Sequence, residues 1–398
     1  SGSSEWFDGK IDQIRIYDSA ISAANVTTLY EEIECPAVAV TNAFNTVLYT
    51  GTNAAKSITS LNFQPDLIWF KSTSAYTHQI YDSIRGTQLY LRSNEANAEA
   101  NSSNQPTGNG DLQAFTSTGF NVGIDVIGSV NSSGLVSTAW NWKAGGAPTA
   151  TNSAGAGNVP TAGSVKIDGA DSTTALAGTI AATSISANTD AGFSIVKYVG
   201  NSSANGTVGT GLSSAAEIII VKNIDNGSAL WSVYSSSVGA NQTAHLNTTA
   251  AYSSSGDWNS TTATASVFSI GSSASGRTNS SGQNHIAYCF HSVDGYSKIG
   301  SYTGTGASGN VQYLGFEPAF LMWKAAIRPS GGGSWYMYDN KRTTSNPQGQ
   351  YLQANEPAAE ADGSSVFNID FNSNGFTING TNNEVNQNGS TYIFLAIA

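Results

Sequence analysis

Asp66-Leu67-Ile68-Trp69-Phe70-Lys71, Glu217-Ile218-Ile219-Ile220-Val221-Lys222 and Phe320-Leu321-Met322-Trp323-Lys324 occupy the same place in three related stretches of the chain. A strand with one face in water alternates apolar and polar residues. An unbroken apolar run of this length therefore reads as a central strand covered on both faces. Outward from these runs, Tyr49-Thr50-Gly51 is followed by Pro65 and Lys71, and Tyr302-Thr303-Gly304 by Pro318 and Lys324, at identical intervals. Asp82-x-x-Arg85 is matched by Asp339-x-x-Arg342, and Tyr90-Leu91-x-x-Asn94-Glu95 by Tyr351-Leu352-x-x-Asn355-Glu356. Each copy closes with Gly119-Phe120 or Gly375-Phe376, then Val130-Asn131-Ser132-Ser133-Gly134 or Val385-Asn386-Gln387-Asn388-Gly389. A more diverged middle copy runs from Tyr198-Val199-Gly200 through Lys222 to Asn279-Ser280-Ser281-Gly282. A period of roughly a hundred residues is a whole domain, not a solenoid unit.

The last strands, Ala139-Trp140-Asn141-Trp142, Ala287-Tyr288-Cys289-Phe290 and Ile393-Phe394-Leu395-Ala396, read as buried too. Short apolar or alternating segments between Gly, Asn and Ser clusters, without helical periodicity, predict an all-β chain. The expectation is three tandem antiparallel β-sandwich or jelly-roll-like repeats over 46–146, 191–293 and 294–398, stacked as a stiff array. Residues 35–45 read as a linker and 147–190 as a connector with some strand. One short helix is expected near the N-terminus, capped by Ser22 and running through Val26, Leu29 and Tyr30.

Charged residues make up only 11% of the 398, so Ser, Thr, Asn and Gly carry solubility, while 39% hydrophobic residues supply cores. A net charge of −11 argues against a nucleic-acid partner, because phosphate binding needs Lys and Arg. Two cysteines, Cys35 and Cys289, are too few for a disulfide framework. No apolar run is long enough to insert in a membrane. Ser1-Gly2-Ser3-Ser4 lacks the features of a signal peptide, and the expectation is that the true N-terminus lies upstream.

No residues stand out as catalytic, and none as ligands for a metal or other cofactor. The Asp82/Arg85 and Asp339/Arg342 pairs read as structural locks within each repeat, with a grip on sugar hydroxyls or a carboxylate as the alternative. Lys71, Lys222 and Lys324 are structural repeat residues, and Tyr81, Tyr234 and Tyr338 suit packed core positions. Glu95/Glu99 and Glu356/Glu360 are paired carboxylates, but four residues apart in one loop they do not face each other across a bond, as glycoside hydrolysis requires. His285, Cys289 and His291 share one face of a strand but are too spread to hold one ion. Trp231, Trp258, Trp335, Tyr336 and Tyr252 lie in polar, turn-rich surroundings and read as exposed aromatics. Trp231 and Trp335 align with His78, which favours a common packing role. Trp258, with Asp257 beside it, has no counterpart and is the first ligand candidate, followed by Trp335 and Tyr336.

Phe7-x-Gly9-Lys10-Ile11-Asp12-x-x-Arg15-Ile16-Tyr17 and the helix after it resemble the last strand and trailing helix of a laminin-G-like, concanavalin-type domain. The resemblance covers residues 1–34 and implies that this strand completes something larger or is borrowed by a neighbour. The Glu217–Asn223 strand, the Ile286–Lys298 run, Phe371-x-Ser373-Asn374-Gly375-Phe376 and Asn386-x-x-Gly389-x-Thr391-Tyr392-Ile393 resemble an uncharacterised tandem β-domain of predicted tail-fibre and structural proteins of tailed phages, especially marine ones. That resemblance implies a virion-surface location without supplying an activity, and the expectation built on it is a non-enzymatic protein that adheres to a host-surface glycan or receptor. It also implies contacts with other virion proteins and a homo-oligomer, a trimer by analogy with phage fibres. Capsid decoration, an extracellular filament, a polysaccharide depolymerase and a cellular adhesin are the alternatives.

Overall fold

The computed structural model describes residues 20–22, 40–102, 111–125, 128–272, 276–329 and 331–398. The chain divides into Ser1–Val38 and Ala39–Ala398. The strand expected over 6–17, the helix expected after Ser22, the laminin-G-like resemblance and Cys35 all lie outside the described residues.

Among the described residues of Ala39–Ala398 the regular secondary structure is nearly all β-strand. In the first repeat a six-stranded antiparallel sheet runs in the order Phe44–Thr50, Val136–Trp142, Leu67–Ser72, Gln79–Asp82, Gly86–Leu91, Ala100–Asn101. A three-stranded sheet, Lys56–Ile58, Gly119–Val122 and Leu112–Thr116, forms its second layer. The third repeat repeats this plan. Its large sheet runs Ser297–Thr303, Thr391–Ile397, Phe320–Ile327, Tyr336–Asp339, Gln350–Gln353, Ala361–Asp362, and its small one Asn310–Tyr313, Gly375–Ile378, Ile369–Asn372.

The second repeat keeps the six-strand order from Phe193–Val199 to Ser253–Ser254 but is extended at its first edge. Ala182–Asn188, Val165–Ile167 and Ala170–Asp171 add to that edge and make a sheet of nine. The connector therefore supplies three strands to this sheet. The small sheet of this repeat has two strands only, Gly206–Gly209 and Val267–Ile270. The one helix among the described residues is Asn383–Asn386, near the C-terminus, where the Asn382 side chain accepts from the Glu384 N–H. Helices this short form only when a cap and a fixed loop hold them, and no apolar periodicity announces them.

The apolar runs are unbroken because each central strand serves two cores. Ile68 and Phe70 face the small sheet of the first repeat, together with Tyr49, Tyr81 and Phe120. Val221 and Ile219 do the same in the second repeat, and Leu321 and Trp323 in the third. The alternate residues, Leu67 and Trp69, Ile218 and Ile220, Phe320 and Met322, meet in one common core with Trp140, Trp142, Tyr288, Phe290 and Leu395. Three private sandwiches thus stand back to back around a shared apolar centre. The packed array of repeats takes the form of a closed ring of three. Its closure depends on contacts across more than two hundred residues, which no local pattern encodes.

Candidate functional site: the seams between repeats

Each recurring motif closes a contact. Within a repeat, the tyrosine of Tyr-x-Gly donates its hydroxyl to a backbone carbonyl near the end of that repeat. Tyr49 reaches Val130 at 2.5 Å, Tyr198 reaches Thr278 at 2.6 Å and Tyr302 reaches Val385 at 2.8 Å. The glycine two residues on is packed against the same segment. A Cβ on Gly51, Gly200 or Gly304 would lie 2.2, 2.3 or 2.2 Å from the carbonyl oxygen of Ser132, Ser280 or Gln387. The buried amides of Asn131, Asn279 and Asn386 then accept from Thr52, Asn201 and Thr305 N–H at 3.0, 2.8 and 2.8 Å.

Between repeats, three kinds of contact recur in cyclic order. First, the Glu99 N–H donates to Ile224 O at 2.8 Å, the Tyr252 N–H to Ala326 O at 3.1 Å, and the Glu360 N–H to Thr73 O at 2.8 Å. Second, an aligned ring reaches back across each seam. Trp231 Nε1 donates to Arg92 O and Glu95 O at 3.1 and 3.0 Å, and Trp335 Nε1 to His245 O at 3.0 Å. His78 does the same with Nε2, 3.0 Å from Gln353 O. Its Nδ1 accepts from Trp69 Nε1 at 2.8 Å, which assigns the proton to Nε2. Burial pushes its pKa down to about 3, so the ring stays neutral.

Third, the acid–arginine pairs face one chosen side chain of the next repeat. Asp82 Oδ2 accepts from Arg85 Nε at 2.7 Å and from Tyr288 of the second repeat at 2.8 Å. Asp339 Oδ2 accepts from Arg342 Nε at 2.6 Å and from Trp140 Nε1 of the first repeat at 3.0 Å, with the guanidinium over the indole ring. Tyr288 and Trp140 hold equivalent register positions, opposite Ile220 and Trp69; the third such residue is Leu395, opposite Met322. Leucine has no polar atom to receive. The second repeat, which would supply the key there, has Ser235 and Val238 in place of Asp and Arg, and Val238 packs on the shared core. The key is charged where the lock carries a polar atom and neutral where it does not, since an unmatched buried charge would be strongly unfavourable.

Lys71, Lys222 and Lys324 are buried at the ends of the central strands. Lys71 Nζ donates to Ser72 O and Ser74 O at 2.6 and 2.7 Å, and Lys222 Nζ to Asn223 O and Asn226 O at 2.7 and 3.1 Å. Lys324 Nζ donates to Gly333 O and lies over the Trp335 ring. Burial pushes the three amines down to about 7, 8 and 7. The loop carboxylates are anchored as well. Glu99 binds Arg85 at 3.3 Å, Glu360 binds Arg342 at 3.2 Å, and Glu95 binds Arg92 at 2.9 Å. Glu356 accepts from Asn355 Nδ2 at 3.2 Å.

The ligand candidates read from sequence are inside the protein. Trp258 is 1% exposed, and Trp335, Tyr336, Trp231, Tyr252 and Asp257 are buried too. Trp258 donates to Thr243 Oγ1 at 2.5 Å and packs edge-on to Tyr234. Asp257 accepts from Arg277 Nε at 3.0 Å and Ser232 Oγ at 2.7 Å. The reason is architectural. Where the other small sheets have a third strand, the second repeat has the turn-rich segment before Val267, and Trp258 fills that part of its core. Polar neighbours in sequence disguised a core residue. His285 stacks on Tyr198, and burial pushes the Cys289 thiol up to about 12. Among the described residues no group of His, Cys, Asp or Glu is placed to hold a metal ion.

These observations define a chain of tandem β-sandwiches whose repeated polar residues are committed to bonds within and between the repeats. The chain belongs to the family described as Domain of unknown function (DUF7483), whose model matches residues 39–170 and 165–398. No curated protein and no solved structure matched.

Proposed function

We propose that the chain is a non-enzymatic tail-fibre or related virion-surface protein that attaches to a host-surface glycan or receptor. The observation that carries this reading is the fate of the recurring polar residues. Asp82, Arg85, Asp339, Arg342 and the three lysines all bond within the protein. The surface is left to turns rich in Ser, Thr, Asn and Gly on a framework of shared cores. Such turns form shallow hydrogen-bonding sites, individually weak, that gain strength when many copies engage one surface. Low charge limits nonspecific attraction to charged surfaces. The tail-fibre part of the proposal rests on the resemblance of the repeats.

The test is electron microscopy of intact phage particles labelled with an antibody against residues 191–398. Label at the tail tip is expected. Label spread over the capsid, or along filaments without tails, would overturn attachment in favour of a decoration or filament protein.

A further inference from the structure

The three small sheets offer an internal comparison. Each ends in a strand, Lys56–Ile58, Gly206–Gly209 or Asn310–Tyr313, whose partner within the sheet is the Gly-Phe strand or its equivalent. An edge exposes a row of backbone donors and acceptors, and proteins blunt such rows by charge, shortness or cover. The first edge is three residues long and carries Lys56. The second is covered by the chain itself. Thr207 O accepts from the Thr179 and Ile180 N–H groups, both at 3.0 Å, and Thr207 N–H donates to Thr179 Oγ1 at 2.9 Å.

The third edge has neither device among the described residues. Asn310–Tyr313 is uncharged, and Val311 and Tyr313 are 43% and 75% exposed. Leu314 N–H donates to Asn374 O, so by antiparallel alternation the backbone groups of Gln312 point to the neighbouring strand and those of Val311 and Tyr313 point outward. Val311 is the counterpart of Thr207, whose outward groups are both satisfied in the second repeat. Tyr313 is the most exposed large hydrophobic side chain described, and the equivalent positions are Thr59 and Gly209, so the repeat plan does not call for an aromatic there.

We propose that Asn310–Tyr313 is a strand-addition site whose occupant is the same strand of a second copy of this chain, paired antiparallel about a two-fold axis. A chain of net charge −11 repels its own copy, so a self-contact must fall where charge is absent. This strand and its partner Gly375–Ile378 are both uncharged. Pairing Val311 with the partner copy's Tyr313, and the reverse, joins all four outward groups on each side. It also places an aromatic beside a β-branched residue across the strands, a favourable cross-strand pair. Two three-stranded sheets become one of six. The contact is small, so the association is weak in solution and gains strength where copies are held close together.

Sedimentation equilibrium of the 398-residue chain, from low to high micromolar, tests this. The wild type is expected to associate into dimers. Val311→Lys, which gives this edge the charge its counterpart has, is expected to sediment as a monomer with an unchanged thermal midpoint. Val311→Cys/Tyr313→Cys is expected to cross-link two copies on oxidation. A wild type that stays monomeric throughout, or a Val311→Lys variant that dimerises as the wild type does, overturns the proposal. None of these results bears on attachment to a host surface.

Discussion

Asp82, Arg85 and Tyr288 form one buried charged key and its lock, whereas Ser235, Val238 and Leu395 hold the equivalent places at another seam. Asp82→Ala leaves the Arg85 guanidinium, whose side chain is fully buried, with only the partly exposed Glu99 as a counter-charge. Removing one partner of a buried ion pair costs about 3–5 kcal/mol. Tyr288→Phe removes the hydrogen bond to a carboxylate that keeps its Arg85 contacts, together with the longer bond that the hydroxyl accepts from Arg85 Nη2, for about 1.5–3 kcal/mol. The triple change Asp82→Ser, Arg85→Val, Tyr288→Leu removes the buried ion pair and the phenol together, leaves only the partly exposed Glu99 charged, and installs the three residues already used at these places in the neutral seam. Replacing a buried ionic group by apolar residues of fitting volume is often neutral or stabilising. The triple variant is therefore expected within about 1 kcal/mol of wild type, well above either Asp82→Ala or Arg85→Val alone. Urea unfolding followed by tryptophan fluorescence reads this as a midpoint that falls in the single variants and recovers in the triple. A triple variant as unstable as Asp82→Ala would refute the matching of key to lock.

Two further outcomes follow from the buried groups. Lys71, Lys222 and Lys324 have folded pKa values of about 7–8, below the unfolded value of about 10.4, so the folded chain binds fewer protons between those limits. Stability should rise from pH 7 towards pH 10, then fall as the buried tyrosines, raised above their usual value, resist ionisation. Urea midpoints at pH 7 and pH 9.5 measure the rise, and Lys324→Met should shrink it; a flat profile would contradict the burial of the amines. Trp258→Ala should cost about 3–5 kcal/mol as a core truncation. Its thermal midpoint checks this, and a surface-like loss of under about 0.5 kcal/mol would restore the residue as a ligand platform.

The repeats were legible because their motifs are local and spaced alike: Tyr-x-Gly, the apolar runs, Asp-x-x-Arg, Val-Asn. Ring closure was not. The partner of Asp82 is Tyr288, and nothing near either residue names the other. A signal was nonetheless present in the central runs. A free-standing sandwich would leave the outer face of Leu67–Ser72 wet and alternate its residues, yet all three central strands are apolar on both faces. A second apolar partner was thus already required, and the remaining copies supply such faces. The absence of Asp-x-x-Arg in the middle copy was the other trace, readable only once Leu395 is known to hold the place of Tyr288 and Trp140. Trp258 misled for the opposite reason, since its polar neighbour Asp257 is buried with it and bonded to Arg277 and Ser232 inside the protein.

Closure also fixes arithmetic. An open stack of domains has two end faces and can gain or lose a unit by duplication or deletion, at the cost of one interface. Here every unit touches both others, so a chain with two units would leave two apolar faces bare, and a fourth would find no face to meet. Growth in such a protein has to come from the rim: from loops, from extra strands at a sheet edge as in Val165–Ile167, Ala170–Asp171 and Ala182–Asn188, or from whatever is fused before Ala39. Diversity among relatives that keep this ring should concentrate in those places and spare the count of three.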